Sequence, residues 1–317
     1  MAQHFLLSAS ARTLSLAKVM RLSDEDAYQV FKEMRWPGGE PHCPKCGCFA
    51  IYTYKARKIF KCKACDAQFS LTTGTIFASR KLAIRDILAA IAIFVNGAKG
   101  ISALQMSRDL DVQYKTAYVL AHKLREAMAS QAPETVGGDV EIDGAYFGGY
   151  VKPANHKDNR RDRRLKENQT GKRRAVVVMR ERNGRTLPFV FRTEGDAVDT
   201  IVARVEDDTT VYADEASVWD ELHAPFEVKR VNHSINYRDE DACTNQAESF
   251  FSRLRRMEVG THHHVSGRYL HFYAREAAWR EDNRRVSNGE QYTLLARTAL
   301  AHEVSENWAG YWQRVKN

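Results

Sequence analysis

Asp143 closes one strand-like run, Val140-Glu141-Ile142-Asp143, and Asp214 closes another, Thr210-Val211-Tyr212-Ala213-Asp214. Glu248 lies on a helical stretch that starts near Thr244. Carboxylates brought to one edge by different elements suit phosphodiester chemistry with two Mg²⁺ ions. Mg²⁺ takes hard oxygen ligands and keeps several waters. Two such ions, about 3.5–4 Å apart, stabilise the attacking and leaving oxygens of an in-line displacement. The chain holds 40 acids, so spacing alone leaves a second reading open, in which these three are surface or capping carboxylates.

Two Cys-x-x-Cys pairs carry a different chemistry. Cys43-Pro44-Lys45-Cys46 is followed, after fifteen residues, by Cys62-Lys63-Ala64-Cys65. This spacing predicts four thiolates around one tetrahedral Zn²⁺. So short a segment buries too little apolar surface to fold alone, and the metal must supply folding energy. Cys48 is spare and reads as a small residue beside the first knuckle. Between Cys43 and Cys65 lie six Lys or Arg and no acid, interleaved with Phe49, Tyr52, Tyr54 and Phe60. Lys58 and Lys61 on such a ribbon suit phosphate contact, with the aromatics available for stacking.

The elements that must position these groups follow from periodicity. Residues 1–40 form a helical lead-in, with Ser23 as N-cap before Asp24, Glu25 and Asp26. Residues 41–75 form the ribbon. Over 80–132 the pattern is helical: Ile84, Ile87, Leu88, Ile91 and Val95 mark one stripe, and Ala117, Leu120, Leu124 and Met128 another. The break at Leu110-Asp111-Val112 makes a helix-turn-helix candidate, with Gln113, Lys115, Thr116 and Lys123 toward a DNA groove. A helical hairpin without a DNA role fits the same pattern. A linker spans Pro133 to Gly138. Beyond it strands and helices alternate, an α/β (α+β) pattern: a strand over 140–143 ending in a turn at Gly144 and Gly148-Gly149 into Tyr150-Val151, an apolar strand over 175–179, a hairpin at Arg182-Asn183-Gly184-Arg185, and helices over 198–205, 244–256 and 266–280. From Lys152 to Arg174 the chain holds ten Lys or Arg against three acids, the composition of a basic loop.

Composition excludes several classes. The chain has 317 residues, 44% of them hydrophobic and 28% charged, against wholesale disorder. The longest apolar run, Ile87 to Val95, has nine residues, whereas a membrane span needs about 20. No Lys or Arg precedes Phe5-Leu6-Leu7, opposite to a secretory signal. Five of the six cysteines crowd between Cys43 and Cys65, which is a metal site in a reducing cytoplasm rather than a disulfide framework. A formal net charge of +8 favours a polyanionic partner, nucleic acid before membrane.

The ordered motifs resemble one family. They are Cys43-Pro44-Lys45-Cys46 with Cys62-x-x-Cys65, Thr72-Thr73-Gly74-Thr75-Ile76-Phe77, Tyr114-Lys115-Thr116-Ala117 and Glu141-Ile142-Asp143-Gly144-Ala145-Tyr146-Phe147-Gly148-Gly149. They continue with Tyr212-Ala213-Asp214, Asn232-His233-Ser234, Thr244-Asn245-Gln246-Ala247-Glu248-Ser249-Phe250-Phe251 and Gly260-Thr261-His262-His263-His264-Val265-Ser266. Together they resemble the IS1595 group of bacterial insertion-sequence transposases, which carry an ISXO2-like transposase domain.

The resemblance implies an RNase H-like DDE domain over 137–300, a mixed β-sheet flanked by helices, behind the zinc ribbon and the helix-turn-helix segment, with a C-terminal tail over 301–317. It implies Mg²⁺-dependent strand cleavage at terminal inverted repeats and transfer of 3′-OH ends into target DNA. Asp143 and Asp214 match the first two acids. The third position holds both Asn245 and Glu248, one helical turn apart; Glu248 is favoured, because a carboxylate is the stronger Mg²⁺ ligand. The metals implied are one structural Zn²⁺ and catalytic Mg²⁺, two ions, with Mn²⁺ as substitute. DNA contacts are expected from Lys58, Lys61, Lys115, Thr116, Arg173, Arg174 and Arg255, the last where related enzymes carry a basic residue on the helix of the third acid. The partners implied are double-stranded DNA and further copies of the chain, a homodimer or larger assembly, in the cytoplasm at the nucleoid. A regulator that binds DNA without cutting, and a nuclease that cuts without joining, are the rival functions. His262, His263 and His264 are read as a loop near DNA rather than a metal cluster.

Overall fold

The computed structural model describes residues 5–149, 154–162, 165–168, 170–231 and 244–313. Tyr150-Val151 after the expected turn, the Asn232-His233-Ser234 motif, Cys243 and part of the basic loop lie outside the described residues. The chain divides into two compact units, residues 1–131 with 283–317, and residues 132–282.

The first unit begins with α1 (Leu16–Met20) and α2 (Asp24–Arg35). The Ser23 side chain caps α2 by accepting from the Asp26 N–H, and three acids fill its first turn. The ribbon is an antiparallel sheet of β1 (Ile51–Tyr54), β2 (Ile59–Cys62) and β3 (Gln68–Phe69). Its small core is the aromatic set Trp36, Phe60 and Phe69, with ring centroids 5.3–6.4 Å apart. Then follow α3 (Ile84–Asn96), α4 (Ala103–Asp109) and α5 (Tyr114–Ala129). The turn between α4 and α5 holds Asp111 at φ 51°, left-handed backbone that Asp tolerates better than most residues. α3 differs from the expected single stripe: every residue from Ile87 to Val95 is buried. A helix buried all round has lost its polar face to neighbours, here α1, α2 and a helix from the far end of the chain.

The second unit is built on five strands: β4 (Asp139–Phe147), β5 (Arg174–Glu181), β6 (Thr186–Phe191), β7 (Thr210–Asp214) and β8 (Glu227–Val231). Their order is β6-β5-β4-β7-β8. β4, β5 and β6 form an antiparallel meander, and β7 and β8 run parallel to β4. Three helices complete it, α6 (Val198–Arg204), α7 (Asn245–Met257) and α8 (Leu270–Asp282). This mixed sheet flanked by helices is the RNase H-like arrangement. β4 was expected to turn at Gly144. It runs on to Phe147, because its pairing with β5 continues unbroken from Val140 to Phe147. α8 begins at Leu270 rather than near the expected Ser266, since residues 267–269 form a turn.

Side-chain alternation on β4 sorts the two layers. Val140 and Ile142 pack with Val177, Met179 and α6 residue Ile201. Ala145 and Phe147 pack with Phe250, Phe251 and Leu254 of α7 and Ala274 of α8. Glu141 and Asp143, of the same parity, therefore face the α7 layer.

The last helix, α9 (Asn288–Ala301), belongs to the first unit. The catalytic domain was expected to reach residue 300; this chain divides after Asp282 instead. The reason is packing: Leu295, Ala296 and Ala299 are fully buried, and α9 lies on α2, α3 and α5. A capping box of Ser287 and Glu290 starts it. The Asn288 side chain receives the Thr13 and Leu14 N–H groups at 2.9 and 2.8 Å, tying the two ends of this unit together.

Candidate metal centre and active site

The four ribbon thiols converge. Cys43, Cys46, Cys62 and Cys65 place their Sγ atoms within 4.8 Å of one another. Two local devices bring this about. In the first knuckle the Gly47 N–H donates to the Cys43 carbonyl at 2.8 Å, with Gly47 at φ +72°, left-handed backbone that glycine adopts without strain. In the second, the Cys62 N–H donates to the Ala67 carbonyl at 2.9 Å and the Ala64 N–H to the Cys62 sulfur at 3.4 Å. Four soft thiolates closing a tetrahedron fit Zn²⁺. Cys48 stands outside the set, with its sulfur toward the Ala50 carbonyl.

The acids gather differently. β4 and β7 are paired in parallel up to Ile142 opposite Ala213, so the next residues, Asp143 and Asp214, stand at neighbouring positions on adjacent strands. Asp143 Oδ1 accepts its neighbour Gly144's N–H at 2.7 Å, and Asp214 Oδ1 accepts the Ala216 N–H at 3.2 Å. α7 is amphipathic: Ala247, Phe250, Phe251, Leu254 and Met257 are buried, and Asn245, Glu248 and Arg255 are exposed. Asn245 and Glu248, three residues apart, share one face of it. The Asp143 carboxyl is raised to about 7, by burial first and, against the Gly144 N–H, by the charges of Asp214, Glu248 and Glu194. Such mutual repulsion among hard oxygen donors fits a site for divalent cations with oxygen ligands.

Glu194 is a fourth acid that sequence reasoning missed. A Cβ on Gly144 would fall 2.8 Å from its carboxyl carbon, so the carboxylate lies directly against β4 beside Asp143. Burial and Asp214 raise its pKa, and Arg173 opposes. No sequence signal marks Glu194, one acid in a loop between β6 and α6. Glu141 was quoted within a motif but given no role; its parity with Asp143 is the signal that marks it.

The expected DNA-contacting residues fall in several places. The Arg173 guanidinium lies 4.2 Å from the Tyr146 ring centroid, in the neighbourhood of Glu194. Arg174 donates to the carbonyls of Gly171 and Arg173. Arg255 is exposed on the last turn of α7. On the ribbon, Lys58 pairs with Glu25 at 3.0 Å and Lys61 with Asp66 at 2.8 Å. Solvent screens exposed pairs of this kind, so a phosphate can displace them. Lys115 and Thr116 line a cleft of about 530 Å³ with Lys123, Trp308, Tyr311 and Trp312. The Trp312 indole N–H donates to the Lys115 carbonyl at 3.3 Å, so the expected C-terminal tail packs on the first turn of α5.

A four-thiolate ribbon and an RNase H-like sheet with acids on adjacent strands occur together in this chain. Residues 135–282 match the family model of the ISXO2-like transposase domain, and residues 22–68 that of the transposase zinc-ribbon domain. The chain belongs to the IS1595 family of insertion-sequence transposases. It is 27% identical over 292 residues to an uncharacterized protein in transposable element ISH50 of Halobacterium salinarum, covering 88% of this chain and 98% of that protein. No solved structure gives a significant match. The ribbon model begins within the first unit's helices, at residue 22, earlier than the expected start at 41. That extension takes in Trp36, which belongs to the ribbon's aromatic core. Among the described residues no helix is long and apolar enough to cross a membrane.

Proposed function

We propose that the chain cleaves DNA at the terminal inverted repeats of its element and joins the freed 3′-OH ends to target DNA. The observation that carries this reading is the placement of Asp143 and Asp214 on adjacent parallel strands, with Asp143 sensing the charge of Glu248 on α7. Asp143, Asp214 and Glu248 would hold Mg²⁺, or Mn²⁺ in its place, with Asn245 beside Glu248 as a neutral oxygen donor. When bound, two such ions would activate the attacking oxygen and stabilise the leaving one. Asp143 would serve as a ligand in its deprotonated form, which a neighbouring divalent cation would favour. Glu194 adds negative charge from the flank, and Arg173, over the Tyr146 ring, offers a cation to a DNA phosphate. Arg255, two turns beyond Glu248, reaches a second phosphate along the same helix face. Arg174 adds a third cation on the basic loop.

The ribbon, through Lys58 and Lys61, and the α4–α5 segment, through Lys115 and Thr116, hold the transposon end. Two DNA ends must be joined in one event, which calls for a homodimer or larger assembly. The reaction takes place on DNA in the cytoplasm. The test is a cleavage and strand-transfer assay on labelled ends. Asp143→Ala and Asp214→Ala should lose both products and keep end binding; cleavage at the wild-type rate by both variants overturns the assignment. Product that is cut but never joined identifies a nuclease instead.

A further inference from the structure

Glu141 is fully buried on β4, two residues before Asp143 and on the same face. A buried carboxylate is tolerated only when its oxygens are satisfied. One Glu141 oxygen accepts the backbone N–H groups of Gln246 at 2.8 Å and Ala247 at 3.0 Å. The other accepts from Arg182 Nε at 3.2 Å. Gln246 and Ala247 are the second and third residues of α7, so their N–H groups have no partner within the helix. The Thr244 side chain, at the N-cap position, makes no capping bond. The cap comes instead from a different element, and it places a negative charge at the positive end of the helix dipole.

Two further contacts fix the same helix end. The Gln246 side-chain oxygen accepts the Asn183 N–H at 3.1 Å, in the β5–β6 turn. Arg182, from that turn, stacks 3.6 Å from the ring centroid of Tyr212, two residues before Asp214 on β7. Glu141 is thus bonded to the helix of Glu248 while its ion-pair partner rests on the strand of Asp214. Because a helix is rigid over one turn, holding residues 246 and 247 sets the height and rotation of Asn245 and Glu248.

We infer that Glu141 is a positioning residue: a buried carboxylate on β4 that clamps the N-terminus of α7 and so sets where Glu248 stands relative to Asp143 and Asp214. The inference rests on the proposed metal site and adds to it a group that touches neither metal nor DNA. Outer partners of metal ligands typically change affinity by about 10–100-fold when removed. Glu141 falls in that class, acting through Glu248.

The experiment uses the full-length, zinc-loaded protein and reads Mn²⁺ binding as the rise in unfolding temperature with added Mn²⁺, beside cleavage of labelled ends. Glu141→Ala should raise the Mn²⁺ concentration for a half-maximal rise by about 10–100-fold. Glu141→Gln, which keeps an oxygen for the helix N–H groups, should recover most of that loss. Adding Glu141→Ala to Glu248→Gln should shift Mn²⁺ binding by much less than it does in the wild type, since both act chiefly on one ligand. Ile201→Val, in the opposite layer, should lower the unfolding temperature and leave Mn²⁺ binding alone. Where Glu141→Ala fails to fold, Glu141→Asp, one methylene too short to reach α7, takes its place. Wild-type Mn²⁺ binding in the Glu141 variants, full additivity with Glu248→Gln, or an equal effect of Ile201→Val overturns the inference. Unchanged Mn²⁺ binding in Asp143→Asn and Glu248→Gln themselves overturns the metal site, and this inference with it.

Discussion

The ribbon and the five-stranded sheet gather their chemical groups in opposite ways. Four thiols within 4.8 Å of one another, held by knuckle turns, form a closed set. The acids are spread over β4, the β6–α6 loop, β7 and α7, and their charges add to burial in raising Asp143. The contrast suits the two metals proposed for them. A structural Zn²⁺ takes all its ligands from the protein and its binding energy is folding energy. A catalytic Mg²⁺ keeps waters and open positions for substrate oxygens, so the protein supplies few ligands and must aim them. Aim is costlier in architecture than closure, and the buried Glu141 clamp on α7 is part of that architecture.

Metal removal should separate the two regions most sharply. Structural Zn²⁺ contributes about 10–16 kcal/mol of apparent binding energy in zinc-finger peptides. Cys62→Ser should therefore lose zinc and end-DNA affinity together, while the unfolding transition of residues 132–282 stays in place. Zinc analysis and calorimetry check this, and a variant retaining one zinc per chain would break the comparison. Stripping Mg²⁺ should do the reverse, abolishing cleavage without unfolding the ribbon.

The next effect concerns the third ligand. Glu248→Gln should reduce cleavage to background, and Asn245→Ala should reduce it by a smaller factor, measured on labelled ends under saturating Mn²⁺. A fully active Glu248→Gln beside an inactive Asn245→Ala would move the third position to Asn245.

Salt sharpens the comparison on the binding side. End affinity should fall steeply with salt, with a log–log slope of about −0.9 for each phosphate contact. Lys58→Ala and Lys61→Ala should each flatten that slope by about one contact or less. Glu25→Gln, which frees Lys58 from its pair, should strengthen binding slightly. Lys115→Ala should relax sequence preference if α5 reads bases, an outcome that titration against mismatched ends reports.

The smallest effect is a pH slope. The folded-state pKa of Asp143, about 7, lies above its ordinary value through burial and neighbouring acids. The folded state thus favours the protonated form, and this stability is present at low pH and lost as pH rises through about 7. Metal-free protein should unfold at a lower temperature at pH 8 than at pH 5.5, and Asp143→Asn should reduce the slope. Glu194 and Asp282, also raised by burial, keep it from vanishing. An unchanged slope in Asp143→Asn would show that its carboxyl is not so crowded.

Much of the fold was legible in the chain, and for local reasons. The Ser23 cap, the two knuckles, the 182–185 hairpin and the helical stripe of α5 each depend on residues a few positions apart. β4 was read short because glycine weakens strands in isolation, and cross-strand pairing over eight residues overrides that. α9 passed unread because its partners, α2, α3 and α5, all lie in the first half of the chain.

By itself the sequence brought the four ribbon cysteines together, since Cys-x-x-Cys geometry is local, whereas Asp143 and Asp214 were picked out among many acids only through the family resemblance, and Asp143 lies within β4 rather than at its end. The tertiary structure alone decided that Glu194 joins them, that Glu141 caps a helix more than one hundred residues later, and that the C-terminal segment lies on α5. The physical reason is one of range. Turn and strand preferences act over a few residues, whereas a buried carboxylate finds its donors only after sheet and helices have packed, when leaving it unsatisfied would cost most.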